Sequence, residues 1–288
     1  MPLGEISGAT RGAARTESHG VYGLRLRGLP HAPSNRLAVL DERYPLVQVE
    51  RAAERTSGAA HFDEASARFD LYEGQGHVDV RRDPLSVRFD LSDAITDDAI
   101  LHPFFALPAA TVNWWLGRLS FHAGAFLTAT GEAIAILGDK GAGKTTTLAA
   151  LHECGSTIMA DDMLVLDRDQ VLAGPACIDL RRDTACWFSG SKPMGVVGAR
   201  ERWRLDVDQP PPRATLGGFV VPTWGERLEL VPVPVERRLK LLLTSQSLLL
   251  PPRHPEAVLD LLGLPFFELR RPPGRSPLDA AVSMLRSL

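Results

Sequence analysis

The sequence predicts an α/β fold in which a β-rich N-terminal accessory domain precedes a C-terminal domain built on a phosphate-binding loop (P-loop). Three observations carry this. The first is the stretch "IAILGDKGAGKTTT" at residues 134–147, where an apolar run breaks into glycines and ends in Gly-Lys-Thr. The second is the succession of segments after that stretch: a helical one from about Lys144 to Cys154, a stop at Gly155, and a β-like run "STIMA" that closes on Asp161 and Asp162. Strand, glycine turn, helix and strand in that order make a βαβ unit. The third lies between "VYGLRLRGLP" and "DPLSVRFDL", where short segments alternate apolar and polar residues between Gly, Pro and Asp, the period of small strands.

Length and composition set the frame. A chain of 288 residues with 44% hydrophobic and 23% charged residues has material for one large domain or two modest ones. The boundaries read as a loose tail over 1–18, the accessory domain over 19–115 and the P-loop domain over 116–288. A formal net charge of -3 gives no general basis for binding nucleic acid. No run reaches the roughly eighteen apolar residues of a membrane span, since the longest candidate, "LKLLLTSQSLLL", is interrupted by Thr244, Ser245, Gln246 and Ser247. The N-terminus lacks the apolar core of a signal peptide. Cys154, Cys177 and Cys186 are too few and too irregular for a zinc cage or a disulfide framework. Together these features predict a cytoplasmic protein with reduced thiols.

The remaining elements are read from pattern. "PAATVNWWLGRL" has helical spacing and joins the two halves, with Trp114 and Trp115 expected in the core or at an interface rather than as a binding platform. "SFHAGAFLTA" and "EAIAILG" read as strands before the loop, and "MLVLD" and "QVLAG" as a hairpin. "LGGFVVPTW" and "ERLELVPV" read as further strands. "VERRLKLLLTSQSLLL", "PEAVLDLLG" and "PLDAAVSMLRSL" return to helical spacing. "DQPPPR" reads as a surface loop, and "RERWR" as a solvated face or loop.

The chemistry resides in three places. Gly138, Asp139, Lys140, Gly141, Ala142, Gly143, Lys144, Thr145 and Thr146 fit G-x-x-x-x-G-K-[ST] and its continuation, a loop whose backbone N–H groups converge on the phosphates of ATP. The helix after the loop adds its positive N-terminal dipole. Lys144 would reach the β- and γ-phosphates and the Thr145 hydroxyl would ligate Mg²⁺. Lysine is scarce in this chain, which makes Lys144 the more telling. Asp161 and Asp162 close the next strand, beside the bound phosphates. Two adjacent carboxylates there divide into a metal ligand and an acceptor for the proton of an attacking hydroxyl. A carboxylate at the end of the very next strand suits a kinase better than the many ATPases whose metal-binding Asp comes later. His122, in "SFHAGAF", is either a satisfied core histidine or the group that orients a catalytic carboxylate.

Taken together, "FHAGAFL", "ILGDKGAGKTTTLAAL" and "MADDMLVLD" resemble the HPr serine kinase/phosphorylase family and its shorter HprK-like relatives, best over about residues 119–182. The resemblance implies an HPr-kinase-like fold for the C-terminal domain, with Lys144 on phosphate and Thr145 on Mg²⁺. It also implies that Asp161 and Asp162 supply the general base and a metal contact through Asp162, with His122 supporting the pair. The family's Glu-Ile-Arg signature has its nearest counterpart in "IDLR", which makes Asp179 a second metal ligand and Arg181 a phosphate contact. Arg182 replaces the family's next glycine, and the longer signature tied to phosphorylase activity has no counterpart in "RRDTACWFSGSKP". "HGVYGLRLRGLP" resembles the opening of HprK-like proteins of peptide natural-product clusters, such as lasso-peptide kinases. The expected function is an ATP- and Mg²⁺-dependent kinase acting on a serine or other hydroxyl of a protein or peptide, with self-association as in the family. Two alternatives stay open: a small-metabolite kinase, and an ATP-binding regulatory module without transfer.

Overall fold

The computed structural model describes residues 18–52, 58–71 and 74–288. The expected tail therefore lies outside the described residues except for Ser18, which opens the first strand. Strand period is evident at once. In Gly76–Arg81 and Ser86–Leu91 the alternate residues Val78, Val80, Val87 and Phe89 are buried, while their neighbours other than Asp90 are more exposed. These strands belong to an eight-stranded mixed sheet that also contains Ser18–Val21, Leu24–Arg27, Ala38–Leu40, Leu46–Arg51, His61–Phe62 and Ser66–Leu71. Its core is continued by Met163, Val165 and Leu172 from the second half of the chain. Between the halves runs the helix Ala106–Trp115, buried on nearly every side, with Trp115 in the core. Asn113 on that helix is satisfied by the carbonyls of Tyr22 and Ala109.

The second half is organised by a nine-stranded sheet. Its strand order along the main path is Ile158–Ala160, Gly124–Leu127, Ala133–Ile136, Arg213–Trp224, Gln170–Leu172, Leu164–Asp167 and Leu119–Phe121. Phe266–Arg271 pairs parallel with the far half of Arg213–Trp224, and Glu229–Pro232 pairs with Phe266–Arg271. A small three-stranded sheet, Cys177–Leu180, Arg200–Asp206 and Lys192–Val197, stands beside it. No helix among the described residues is long and apolar enough to cross a membrane, and Cys154, Cys177 and Cys186 are all free.

Four expectations are corrected. "SFHAGAFLTA" is not one strand, because the His122 N–H bonds to the Ser245 carbonyl at 2.6 Å and sends Leu119–Phe121 and Gly124–Leu127 to different parts of the sheet. The strand after the P-loop helix is not adjacent to the strand before it, because Gly124–Leu127 is inserted antiparallel between them, pairing Gly124 with Ile136 and Ala125 with Ala160. The run "VERRLKLLLTSQSLLL" is helical only over Val235–Thr244. There the Thr244 hydroxyl turns back onto the Lys240 carbonyl, and the chain leaves to pair Gln246 with Phe121. "RERWR" is no solvated loop: it opens the strand Arg200–Asp206, whose alternation buries Arg202 and Arg204.

Candidate active site

The inserted strand is what assembles the site. Two antiparallel steps return Ile158–Ala160 to the direction of Ala133–Ile136, so both end at the same sheet edge where Gly124–Leu127 begins. The P-loop leaves the first of these strands, Asp161 and Asp162 leave the second, and His122 precedes the third. Trp224 and Arg271 end the two parallel strands beyond the P-loop strand and arrive at the same edge.

The P-loop takes left-handed backbone at Gly138 (φ 130°), Gly141 (φ 92°) and Gly143 (φ 90°), conformations that suit residues without a Cβ. Gly143 caps the helix Lys144–Glu153. A side chain at Gly143 would also meet the Arg271 guanidinium at 2.8 Å. The buried Lys144 ammonium lies along the loop, donating to the carbonyls of Gly138 at 2.5 Å and Asp139 at 3.2 Å. Burial lowers its pKa, opposed by Asp162, Asp161 and Asp139.

Asp161 and Asp162 part company at a left-handed residue, since Asp162 has φ 71°. Asp161 turns inward. It accepts from the Thr145 hydroxyl at 3.1 Å and from the Asp179 main-chain N–H at 3.3 Å. Burial, with the Asp162 carboxylate beside it, raises the Asp161 carboxyl to about 7. Asp162 turns outward, its carboxylate 3.3 Å from Nδ1 of His122, which also lies 2.9 Å from the Asp162 carbonyl oxygen. The His122 side chain is 46% exposed, so it lines the cavity and is not a core residue.

The raised Asp161 carboxyl has a consequence for stability. In the unfolded chain it would ionise near its ordinary value of about 3.9, so between roughly pH 4 and pH 7 the native state holds the extra proton. Metal-free stability at this position is therefore full in acid and falls as pH rises through that window. Asp161→Asn removes the effect. Its gain in melting temperature over the native protein is expected to be larger at pH 8 than at pH 5 by roughly 2–4 °C or more in metal-free buffer. Equal gains at the two pH values would refute the assignment.

A cavity of about 770 Å³ lies over the P-loop. Its walls carry Lys140, Lys144, Arg181, Arg200, Arg202 and Arg271 against Asp139, Asp162, Asp179 and Asp183, a balance that favours a polyanion. Arg181, the expected phosphate contact, is exposed on this wall. Asp179 takes a different place from the expected metal ligand. Arg204 holds its two oxygens at 2.7 and 3.0 Å, Arg202 adds a bond at 3.2 Å, and the Asp179 main-chain N–H donates to Asp161. Burial pushes the Asp179 carboxyl up, and His102, Arg204 and Arg202 more than cancel this and bring it to about 2. Burial also lowers His102 to about 4, so the imidazole is neutral at pH 7 and the guanidiniums hold the carboxylate charged.

Three residues of this cavity escape motif reading. Arg200 donates to the carbonyls of Asp179 and Leu180. Trp224 donates its indole N–H to the Gly141 carbonyl at 3.3 Å. Arg271, only 2% exposed, stacks 4.5 Å from the Trp224 ring, and its Nε has no hydrogen-bond partner. Burial alone lowers the Arg271 pKa, because no carboxylate faces it among the described residues. Nothing local in the sequence marks these side chains, since each depends on the order of strands in the sheet.

No family model matches the chain, and no curated protein matches it. Among solved structures, the Hpr(Ser) kinase/phosphatase from Coxiella burnetii is similar over 58% of this chain and 94% of that one, at 12% sequence identity and a TM-score of 0.30.

Proposed function

We propose that this protein is an ATP- and Mg²⁺-dependent kinase that transfers the γ-phosphoryl group to a serine or other hydroxyl of a protein or peptide. The observation that carries this reading is the division of the acidic pair: Asp161 faces Thr145 on the P-loop helix, while Asp162 and His122 stand together at the cavity wall. A second carboxylate at the cavity wall is placed to accept the proton of an attacking hydroxyl.

The residues present fit Mg²⁺. A hydroxyl and a carboxylate 3.1 Å apart are hard oxygen donors, and the raised Asp161 carboxyl marks a buried acid, with the Asp162 carboxylate beside it, whose ionised form a cation would favour. Thr145 and Asp161 would hold the ion, in place of the Thr145, Asp162 and Asp179 set implied by resemblance. When bound, it supplies neutralisation of the β- and γ-phosphate charge. Lys144 leaves its loop carbonyls for the phosphates, and the Arg271 guanidinium, whose Nη1 donates to the Pro272 carbonyl while Nε has no partner among the described residues, offers a further phosphate contact. The acceptor oxygen forms its bond to the γ-phosphorus as the bond from that phosphorus to the β,γ-bridging oxygen breaks. ADP leaves, and the acceptor proton passes to the Asp162 carboxylate. His122 orients that carboxylate through Nδ1. Most of the rate gain comes from positioning and charge.

The deciding experiment incubates the purified protein with γ-labelled ATP, Mg²⁺ and a panel of serine peptides, with free sugars and amino acids alongside. Labelled phosphopeptide is the expected product. Arg271→Met should weaken ATP binding about tenfold, the scale of one charge-assisted contact. ATP binding without label in any acceptor would sink the kinase reading, and label confined to the sugars or amino acids would turn it to a metabolite kinase.

A further inference from the structure

A second cavity, of about 400 Å³, lies on the other side of His122 and Asp162. These two residues line both cavities, so the catalytic pair is the partition between them. The two chambers differ in kind. The one over the P-loop is walled by lysine and arginine. The second has apolar walls of Leu71, Pro103, Phe104, Leu107, Ala110 and Met163, with no lysine or arginine among its described lining residues. Among the described residues its carboxylates are Asp70 and Asp162, and its other polar groups come from His122, Gln246 and Ser247. The Ser247 Oγ is buried without a hydrogen-bond partner. The walls come from the last residues of the strand Ser66–Leu71, the segment around Pro103, the buried helix Ala106–Trp115 and the chain after Val235–Thr244. The chamber is thus built where the N-terminal sheet meets the second half.

Resting on the kinase reading, we propose that this chamber is the acceptor subsite, and that the acceptor is a peptide serine or threonine flanked by a bulky uncharged apolar residue. A hydroxyl presented at the partition has the γ-phosphate on one side and the apolar chamber on the other. The flanking side chain fills the chamber, and Gln246 and the unpartnered Ser247 hydroxyl hydrogen-bond the peptide backbone. A triphosphate is excluded from the chamber by Asp70 and Asp162, which keeps donor and acceptor from exchanging places. The same carboxylates reject an acidic flanking residue. The step is the same in-line transfer: the serine oxygen bonds to the γ-phosphorus, its proton passes to Asp162, and ADP leaves on the P-loop side.

Three capped peptides of equal length test this, each with one serine flanked by leucine, by glycine or by glutamate, with kcat/KM measured from phosphopeptide formation. The leucine peptide is expected to exceed the glycine peptide by about tenfold or more, the worth of filling an apolar pocket, and the glutamate peptide to be poorest. Leu107→Trp, which fills the chamber from its half-buried wall, should remove the leucine advantage while leaving the KM for ATP unchanged. The peptide series on the unaltered protein decides the matter even if that variant fails to fold. Equal kcat/KM for the leucine and glycine peptides overturns the subsite and leaves the kinase reading standing. Transfer to none of the peptides, with ATP still bound, overturns the kinase reading and the subsite with it.

Discussion

Replacing Asp162 by asparagine is expected to lower phosphoryl transfer by about 10²–10⁴-fold, the usual worth of a positioned general base, while ATP binding stays within about threefold of the native value. The contrast between these two quantities separates chemistry from binding. Asp162 faces outward to His122 and the cavity, and it is not among the hydrogen-bond partners that hold Lys144 on its loop or Thr145 on Asp161. The amide keeps the size of the carboxylate and cannot take the proton. Rapid-quench transfer assays give the first quantity, and calorimetric titration with MgATP gives the second. Transfer at the native rate would remove Asp162 from the chemistry. Loss of ATP binding in parallel would move it to the nucleotide instead.

Arg204→Met is expected to cost about 3–5 kcal/mol of folding stability, the range for breaking a buried charge pair from one side. Arg204 is only 2% exposed and gathers Asp179, the Asp98 carboxylate at 2.7 Å and the His102 carbonyl at 2.6 Å. Removing it leaves Asp179 nearly without solvent, supported by Arg202 and a neutral imidazole. Urea denaturation should show the loss as a lower midpoint at an unchanged slope. Adding Asp179→Asn to the Arg204→Met protein should recover part of it, since the stranded charge is the main penalty. A loss below about 1 kcal/mol would show that solvent or Arg202 already compensates Asp179.

How far these residues are legible in the sequence depends on how local their signals are. Gly138 to Thr145, the Leu164–Asp167 and Gln170–Leu172 hairpin, and the helix ending at Glu153 are written in adjacent residues, and each forms where its pattern says. The pairing of His122 with Asp162 is legible as one of two readings, because order along the chain restricts a histidine beside the loop without fixing its strand register. The surroundings of Asp179 are hidden for the opposite reason. Its short Ile-Asp-Leu-Arg setting looks like a ligand motif, but its partners Arg202 and Arg204 come from a strand more than twenty residues on, and only the register of Asp179 with Arg204 reveals them. Arg271 and Trp224 lie in unremarkable sequence, and become site residues because two parallel strands carry them to the edge where the P-loop ends.

The inserted strand Gly124–Leu127 also decides where the protein can be altered without harm. Its hairpin to Ala133–Ile136 turns at Thr128–Glu132, at the opposite rim of the sheet from His122 and the P-loop, and the turn into Ile158–Ala160 at Gly155–Thr157 shares that rim. Gly131 there has open space around it. This rim carries none of the residues proposed to hold donor or acceptor, so an affinity handle or a fluorophore grafted there is expected to leave the site unaltered. The proposed site and this rim stand at opposite ends of a four-residue strand.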